Sequence, residues 1–155
     1  METLYPQIAK EWNYKKNGEL KPNMFKSGSG KKVWWICKEG HSWEESICNR
    51  TKRNCGCPYC SNHRVLTGFN DLATKHPEVA LEWNYEKNGH LRPEYFTANS
   101  SQKVWWRCQK GHEWQAKIAD RNKGRGCPYC SRKKVLIGYN DLQSRNPILV
   151  KEWNC

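Results

Sequence analysis

The 155-residue chain carries 27 Lys and Arg against 15 Asp and Glu, a formal charge of +12, and it holds nine Cys and nine Trp. This length suits one ordinary domain or two small ones. No apolar run approaches the roughly 18 residues of a membrane span, and METLYPQIAKEWN lacks the basic and apolar regions of a secretory signal. An intracellular protein with reduced cysteines is therefore expected, neither secreted nor membrane-bound. The 12% aromatic content excludes a solvated, disordered chain.

The chain is a duplication. EWNYKKNG at 11–18 returns as EWNYEKNG at 82–89, KKVWWIC at 31–37 as QKVWWRC at 102–108, and GHSW at 40–43 as GHEW at 111–114. GCPYCS at 56–61 returns at 126–131, and VLTGFNDL at 65–72 as VLIGYNDL at 135–142. The offset falls from 71 to 70 between Thr51 and Gly56, which marks that stretch as a loop. KEWN at 151–154 opens a third copy. The repeat predicts a first zinc-binding unit at 1–75, a second at 76–145, and a partial third at 146–155 acting as a C-terminal cap.

In chain order, each EWN segment reads as a helix. In unit 2 it starts at Pro77, carries Val79, Ala80 and Trp83 as an apolar packing stripe, and ends at KNG. KVWWIC and KVWWRC read as strands running into a knuckle at Gly40 and Gly111. A returning strand comes next, with Trp114, Ala116 and Ile118 on one face and Gln115 and Lys117 on the other. After it come a basic loop, the GCPYCS turn, and Asn70 and Asn140 as candidate helix caps.

The repeated soft ligands form two sets. Cys37, His41, Cys57 and Cys60 are spaced C-x3-H-x15-C-x2-C, and Cys108, His112, Cys127 and Cys130 are spaced C-x3-H-x14-C-x2-C. Three thiolates and one imidazole suit tetrahedral Zn²⁺, and four protein ligands leave no open position, so two structural zinc ions are expected. Cys48, Cys55 and Cys155 do not repeat. Cys55 could compete as a ligand, but the repeat favours Cys57. The expected fold class is a small α+β zinc-binding repeat: two tandem units, each a zinc-bearing β-hairpin with short helices.

Together these motifs resemble a tandem treble-clef or zinc-ribbon repeat domain of unassigned function, found in bacterial, phage and large-virus proteins. The resemblance covers nearly the whole chain. Some copies in that family are fused to restriction-like endonuclease domains, which implies an accessory role on nucleic acid. It also implies the eight zinc ligands named above.

The basic charge is placed unevenly. No Asp or Glu occurs from Ser46 to Asn70 or from Arg121 to Asn140. These windows carry Arg50, Lys52, Arg53 and Arg64 in unit 1, and Arg121, Lys123, Arg125, Arg132, Lys133 and Lys134 in unit 2. A basic segment repeated once per unit suits a phosphate backbone. A non-catalytic nucleic-acid-binding protein is expected, with DNA the more natural partner than RNA and without strong sequence specificity. A protein-interaction adaptor is the alternative. A metal-dependent nuclease comes third, because His63, His76 and His90 are not duplicated and no paired acidic cluster accompanies them. Of the adjacent tryptophans at 34/35 and 105/106, one of each pair should enter the core. The other is expected to be packed as well, with a base-stacking platform as the alternative.

Overall fold

A computed structural model describes residues 3–153. Asn154 of the third EWN motif and Cys155 lie outside the described residues. The chain forms two compact units, Met1–Val65 and Leu66–Cys155.

In the first unit, α1 (Pro6–Ala9) and α2 (Tyr14–Asn17) precede a 3-10 turn at Pro22–Met24. The hairpin β1 (Lys32–Ile36) and β2 (Ser42–Ser46) then leads directly into α3 (Ile47–Lys52). The second unit opens with α4 (Leu72–Lys75), α5 (Pro77–Ala80) and α6 (Tyr85–Asn88), then a 3-10 turn at Pro93–Tyr95. Its hairpin is β3 (Lys103–Arg107) and β4 (Glu113–Lys117), followed by α7 (Ile118–Asn122) and later by α8 (Leu142–Arg145) and α9 (Pro147–Glu152). Both hairpins are antiparallel and equivalent in register, Trp35 facing Trp43 and Trp106 facing Trp114.

The EWN segment is not one helix, contrary to the sequence reading. α5 stops at Ala80, and Trp83 pairs as an isolated bridge with Trp106. The Arg107 amide donates to the Glu82 carbonyl at 2.7 Å, and the Asn84 amide to the Trp105 carbonyl at 3.1 Å. EWN is thus a short extra rung on the edge of the hairpin. Asn84 then caps α6, accepting from the Lys87 amide at 3.1 Å. An asparagine that caps so well competes with helix continuation. Asn88 prolongs the rung with its side chain, donating to the Trp105 carbonyl and accepting from its amide, both at 2.8 Å. Asn17 does the same for Trp34 in unit 1. The strand edge is covered in this way.

Each core is built on a pair of crossed indoles. Trp12 meets Trp35, and Trp83 meets Trp106, edge-on at 5.4 Å and 81°. The four indole N–H groups donate to the carbonyls of Leu20, Glu45, Leu91 and Ala116. Buried indoles usually find such a partner, although, among the described residues, the Trp43 N–H has none.

Leu72, the last residue of the VLTGFNDL segment, packs into the second unit. It is fully buried in that core, and its amide donates to the Phe96 carbonyl at 2.8 Å. The break therefore falls at Val65/Leu66, earlier than the repeat boundary read at 75/76. The caps also differ from expectation. Asp71 and Asp141 cap α4 and α8, accepting from the amides of Thr74 and Ser144 at 2.9 Å. Asn70 and Asn140 instead accept from the amides of Leu66 and Leu136 and so close the preceding turns. The C-terminal helix forms, but Ile148 (74%) and Trp153 (77%) remain exposed and do not cover the second unit. The cover there is Tyr139, whose ring lies 4.2 Å from that of His112.

Candidate metal centres and the surfaces around them

Each hairpin presents the first two ligands from its turn. The Cys37 amide donates to the His41 carbonyl at 3.1 Å, and the Gly40 amide to the Cys37 carbonyl at 2.9 Å. Gly40 and Gly111 both take φ +80°, a left-handed geometry that lets the chain reverse between Cys and His. The second ligand pair comes from a turn in which the Ser61 amide donates to the Cys57 carbonyl and the His63 amide to the Pro58 carbonyl. Cys130 is held by the same turn in unit 2, where Ser131 and Lys133 repeat these bonds.

These turns bring Cys37, His41, Cys57 and Cys60 together, and likewise Cys108, His112, Cys127 and Cys130, with all ligand atoms of a set within 4.8 Å of one another. Tetrahedral zinc, with Zn–S about 2.3 Å and Zn–N about 2.0 Å, implies sulfur–sulfur edges of about 3.8 Å and sulfur–nitrogen edges of about 3.5 Å. The Cys37–Cys60 and Cys108–Cys130 sulfurs are 3.8 Å apart. His Nδ1 stands 3.5 Å from Cys37 and from Cys108, and 3.3 Å from Cys60 and from Cys130. The donor sets fit the ion in chemistry and in size. Cys55 stays outside, exposed.

Without a cation, Cys60 and Cys127 resist ionisation. Burial, and then hydrogen bonds from Cys57 and Cys37, push the Cys60 thiol up to about 12. Burial also raises Cys127, to about 11, with Cys130 and Cys108 adding to it. Clustered thiolates are unfavourable without a divalent ion to neutralise them. With four protein ligands the zinc is structural. Tyr59 and Tyr129 lie edge-on to the ligating histidines at 5.8 Å and help hold the rings.

The ten basic residues singled out in the sequence divide into two groups. Arg50 and Arg121 are corrections: they are buried, 3% and 7% exposed, and no phosphate can reach them. Arg121 lies against the rings of Trp106 and Trp114 at 5.4 and 5.7 Å, pairs with Glu82 and donates to the Arg125 carbonyl. Arg50 is held in the same way by Trp35, Trp43, Glu11 and the Cys55 carbonyl. The common sequence separation of 39 residues in both Glu–Arg pairs is the signal that marks them as packing partners. Lys52, Arg53, Arg64, Lys123, Arg125, Arg132, Lys133 and Lys134 are exposed. Arg125 pairs with Asp120 at 3.0 Å.

The tryptophan pairs also divide. Trp35 and Trp106 are fully buried, whereas Trp34 and Trp105 are half-buried on the outer faces of the hairpins. Lys16 Nζ lies 3.9 Å from the Trp34 ring centroid, and Lys87 Nζ 4.3 Å from that of Trp105. Hydrogen bonds from Lys87, Arg107 and Asn84 hold the Glu113 carboxyl down at about 2, so it stays charged.

Two zinc-stapled hairpin units with closed Cys3His sites define a tandem zinc-finger protein. Residues 8–63 and 79–133 each match the family described as a probable treble clef zinc finger domain, and the chain belongs to that family. It is also 26% identical over 113 residues to a protein of Escherichia phage T5 described as a "putative endonuclease". The match spans 73% of this chain and 36% of that relative's length. Among the described residues no helix is long and apolar enough to cross a membrane.

Proposed function

We propose that the protein is a non-catalytic, zinc-stabilised nucleic-acid-binding module that contacts DNA phosphates through the basic segments beside each metal centre. The observation that carries this reading is the set of exposed cations in windows that contain no acid: Lys52, Arg53 and Arg64 in the first unit, and Lys123, Arg125, Arg132, Lys133 and Lys134 in the second. Zinc and the buried indoles make these segments rigid, which lowers the ordering cost of binding. Two units in one chain raise the effective concentration of the second contact. The contacts go to the backbone, so sequence specificity is weak.

The test is fluorescence anisotropy with random-sequence duplex DNA across a salt series. For each phosphate contacted, the slope of log K against log salt is about −0.9. Joint alanine replacement of Arg132, Lys133 and Lys134 should flatten that slope and weaken binding. Absence of binding to DNA and to RNA at low salt sinks the reading.

Two observations favour other readings. The exposed Ile148 and Leu149 on α9, with Trp153 at its C-terminal end, favour a protein partner. The description of the phage relative favours an endonuclease. In this chain His63, bonded through Nδ1 to the Ser61 hydroxyl at 2.9 Å, is the residue to test for it. Mg²⁺-dependent cleavage abolished by His63→Ala would establish catalysis.

A further inference from the structure

We infer that the outer face of the second unit's hairpin is a site for single-stranded nucleic acid, with Trp105 stacking on a base and Lys103 and Lys117 taking the flanking phosphates. The first unit's hairpin lacks such a site. This rests on the nucleic-acid reading above, and the site adjoins the second unit's basic segment at Lys134.

The register carries the argument. On the outer face of the second hairpin Lys103 sits directly opposite Lys117, Trp105 opposite Gln115, and Arg107 opposite Glu113. Like charges directly opposite each other in a ladder destabilise it, and an anion between them removes that repulsion. Among the described residues, neither lysine makes an ion pair with a carboxylate. Glu113 is already engaged by Lys87 and Arg107. The two facing lysines are therefore uncompensated.

Trp105 lies one step along the same face. It borders an open cleft of about 570 Å³ that is also lined by Lys87, Lys103, Glu113, Gln115, Tyr129 and Lys134. That volume lies within the range of roughly 300–1,000 Å³ seen for small-molecule pockets. The Lys87 ammonium, 4.3 Å from the ring centroid, must swing aside for a base to stack. A duplex keeps its base faces stacked internally and offers an indole nothing to stack on. A single strand offers both base and phosphate. The indole placed beside a pair of lysines thus selects the single strand.

The first hairpin is the internal control. Its outer face pairs Lys32 with Ser46, Trp34 with Glu44, and Ile36 with Ser42. Among the strand residues of each outer face, three cations and one carboxylate make the second doubly positive, whereas one lysine and one glutamate cancel in the first. Glu44 stands opposite the very indole a base would need, and it repels phosphate.

The experiment measures the affinity of the full zinc-loaded chain for a short oligothymidylate and for random-sequence duplex DNA. Trp105→Ala should weaken oligothymidylate binding at least about five-fold, the lower end for one stacked base. It should leave duplex affinity within about two-fold. Trp105→Phe should retain most of the single-strand affinity, and the exposed pair Lys103→Glu/Lys117→Glu should lose it. Trp34→Ala should change neither. Bound zinc and the unfolding transition are measured on every variant, so a misfolded protein is recognised. Equal single-strand loss in Trp34→Ala, or none in folded Trp105→Ala, overturns the inference. Duplex binding that depends on Arg132, Lys133 and Lys134 while Trp105→Ala is silent overturns it and leaves the broader reading standing. Absence of all nucleic-acid binding overturns both.

Discussion

Replacing Arg121 by alanine separates two roles that the sequence alone leaves merged. The guanidinium is 7% exposed, lies within 5.7 Å of two indole rings, and bridges Glu82 to the Arg125 carbonyl. Hydrogen bonds to a charged group contribute about 1.5–3 kcal/mol each, and partly buried cation–π contacts about 0.5–2 kcal/mol. Removing one partner of a buried pair typically costs about 3–5 kcal/mol. The Glu82 side chain keeps 28% exposure, so water rehydrates part of its charge and the lower end applies. A loss of about 3 kcal/mol in a unit of this size lowers its midpoint by more than about 10 °C. Thermal unfolding of the zinc-loaded protein, followed by tryptophan fluorescence, measures this. Arg121→Lys should recover only part of the loss, because an ammonium cannot bridge the same two acceptors in a fixed fork. Affinity for DNA, measured well below the midpoint, should stay within about two-fold of the wild type. An Arg121→Ala protein that unfolds like the wild type and loses DNA affinity would refute the packing role and return Arg121 to the phosphate-binding set.

Three further outcomes are expected. Elemental analysis should find one zinc per Cys3His set, and a strong chelator should unfold both units. Retention of the fluorescence and circular-dichroism signals of the folded state in metal-free protein would refute a structural role for the ion. Asn88→Ala removes two 2.8 Å bonds to the Trp105 backbone and should cost about 1–3 kcal/mol, with faster hydrogen exchange at the Trp105 amide. An unchanged exchange rate there would show that the edge needs no such cover. Asp71→Ala should cost about 1–2 kcal/mol through loss of its cap, while Asp141→Ala should cost well under about 1 kcal/mol. Both aspartates make the same bonds, but Leu72 beside the first is fully buried and Leu142 beside the second is 44% exposed. Equal costs would mean that capping alone, without the packed leucine, sets the stability of this turn.

The metal centres were legible in the sequence because two copies of one ligand set exclude the surplus cysteines, and zinc geometry tolerates little else. Cys55 illustrates this: it lies two positions from Cys57, yet only Cys57 recurs, and only Cys57 reaches the cluster. The tryptophan pairs were legible in part, since strand alternation sends Trp35 and Trp106 inward but does not say how well the outer face is covered. Arg50 and Arg121 were misread because charge alone does not tell a phosphate ligand from a cation held between indoles. Their recurring partners Glu11 and Glu82 carried that information. The EWN helix was misread for a local reason. Val79, Ala80 and Trp83 do fall at helical spacing, but Asn84 offers the backbone a cap and the β3 edge offers it a ladder, and together these outcompete one more helical turn.

A repeat gives its period but not its phase. Any window of about 70 residues is an equally good unit until a contact shows where one begins. Leu72 is that contact. α4 and α8 have nearly identical caps, with Asp71 at φ −73°, ψ 161° and Asp141 at φ −73°, ψ 166°, so the local turn forms from its own sequence in both places. Burial is not determined by the turn. Leu72 and Trp83 are buried against a hairpin that comes after them, whereas Leu142 and Trp153, at the matching positions, stay exposed. The zinc hairpin therefore supplies the core, and the VL-x-G-[FY]-NDL segment serves two purposes. Its closing Leu72 enters the core of the hairpin that follows, whereas Tyr139 and Asn140 of the second copy hold to His112 and Tyr129 around the metal centre before it.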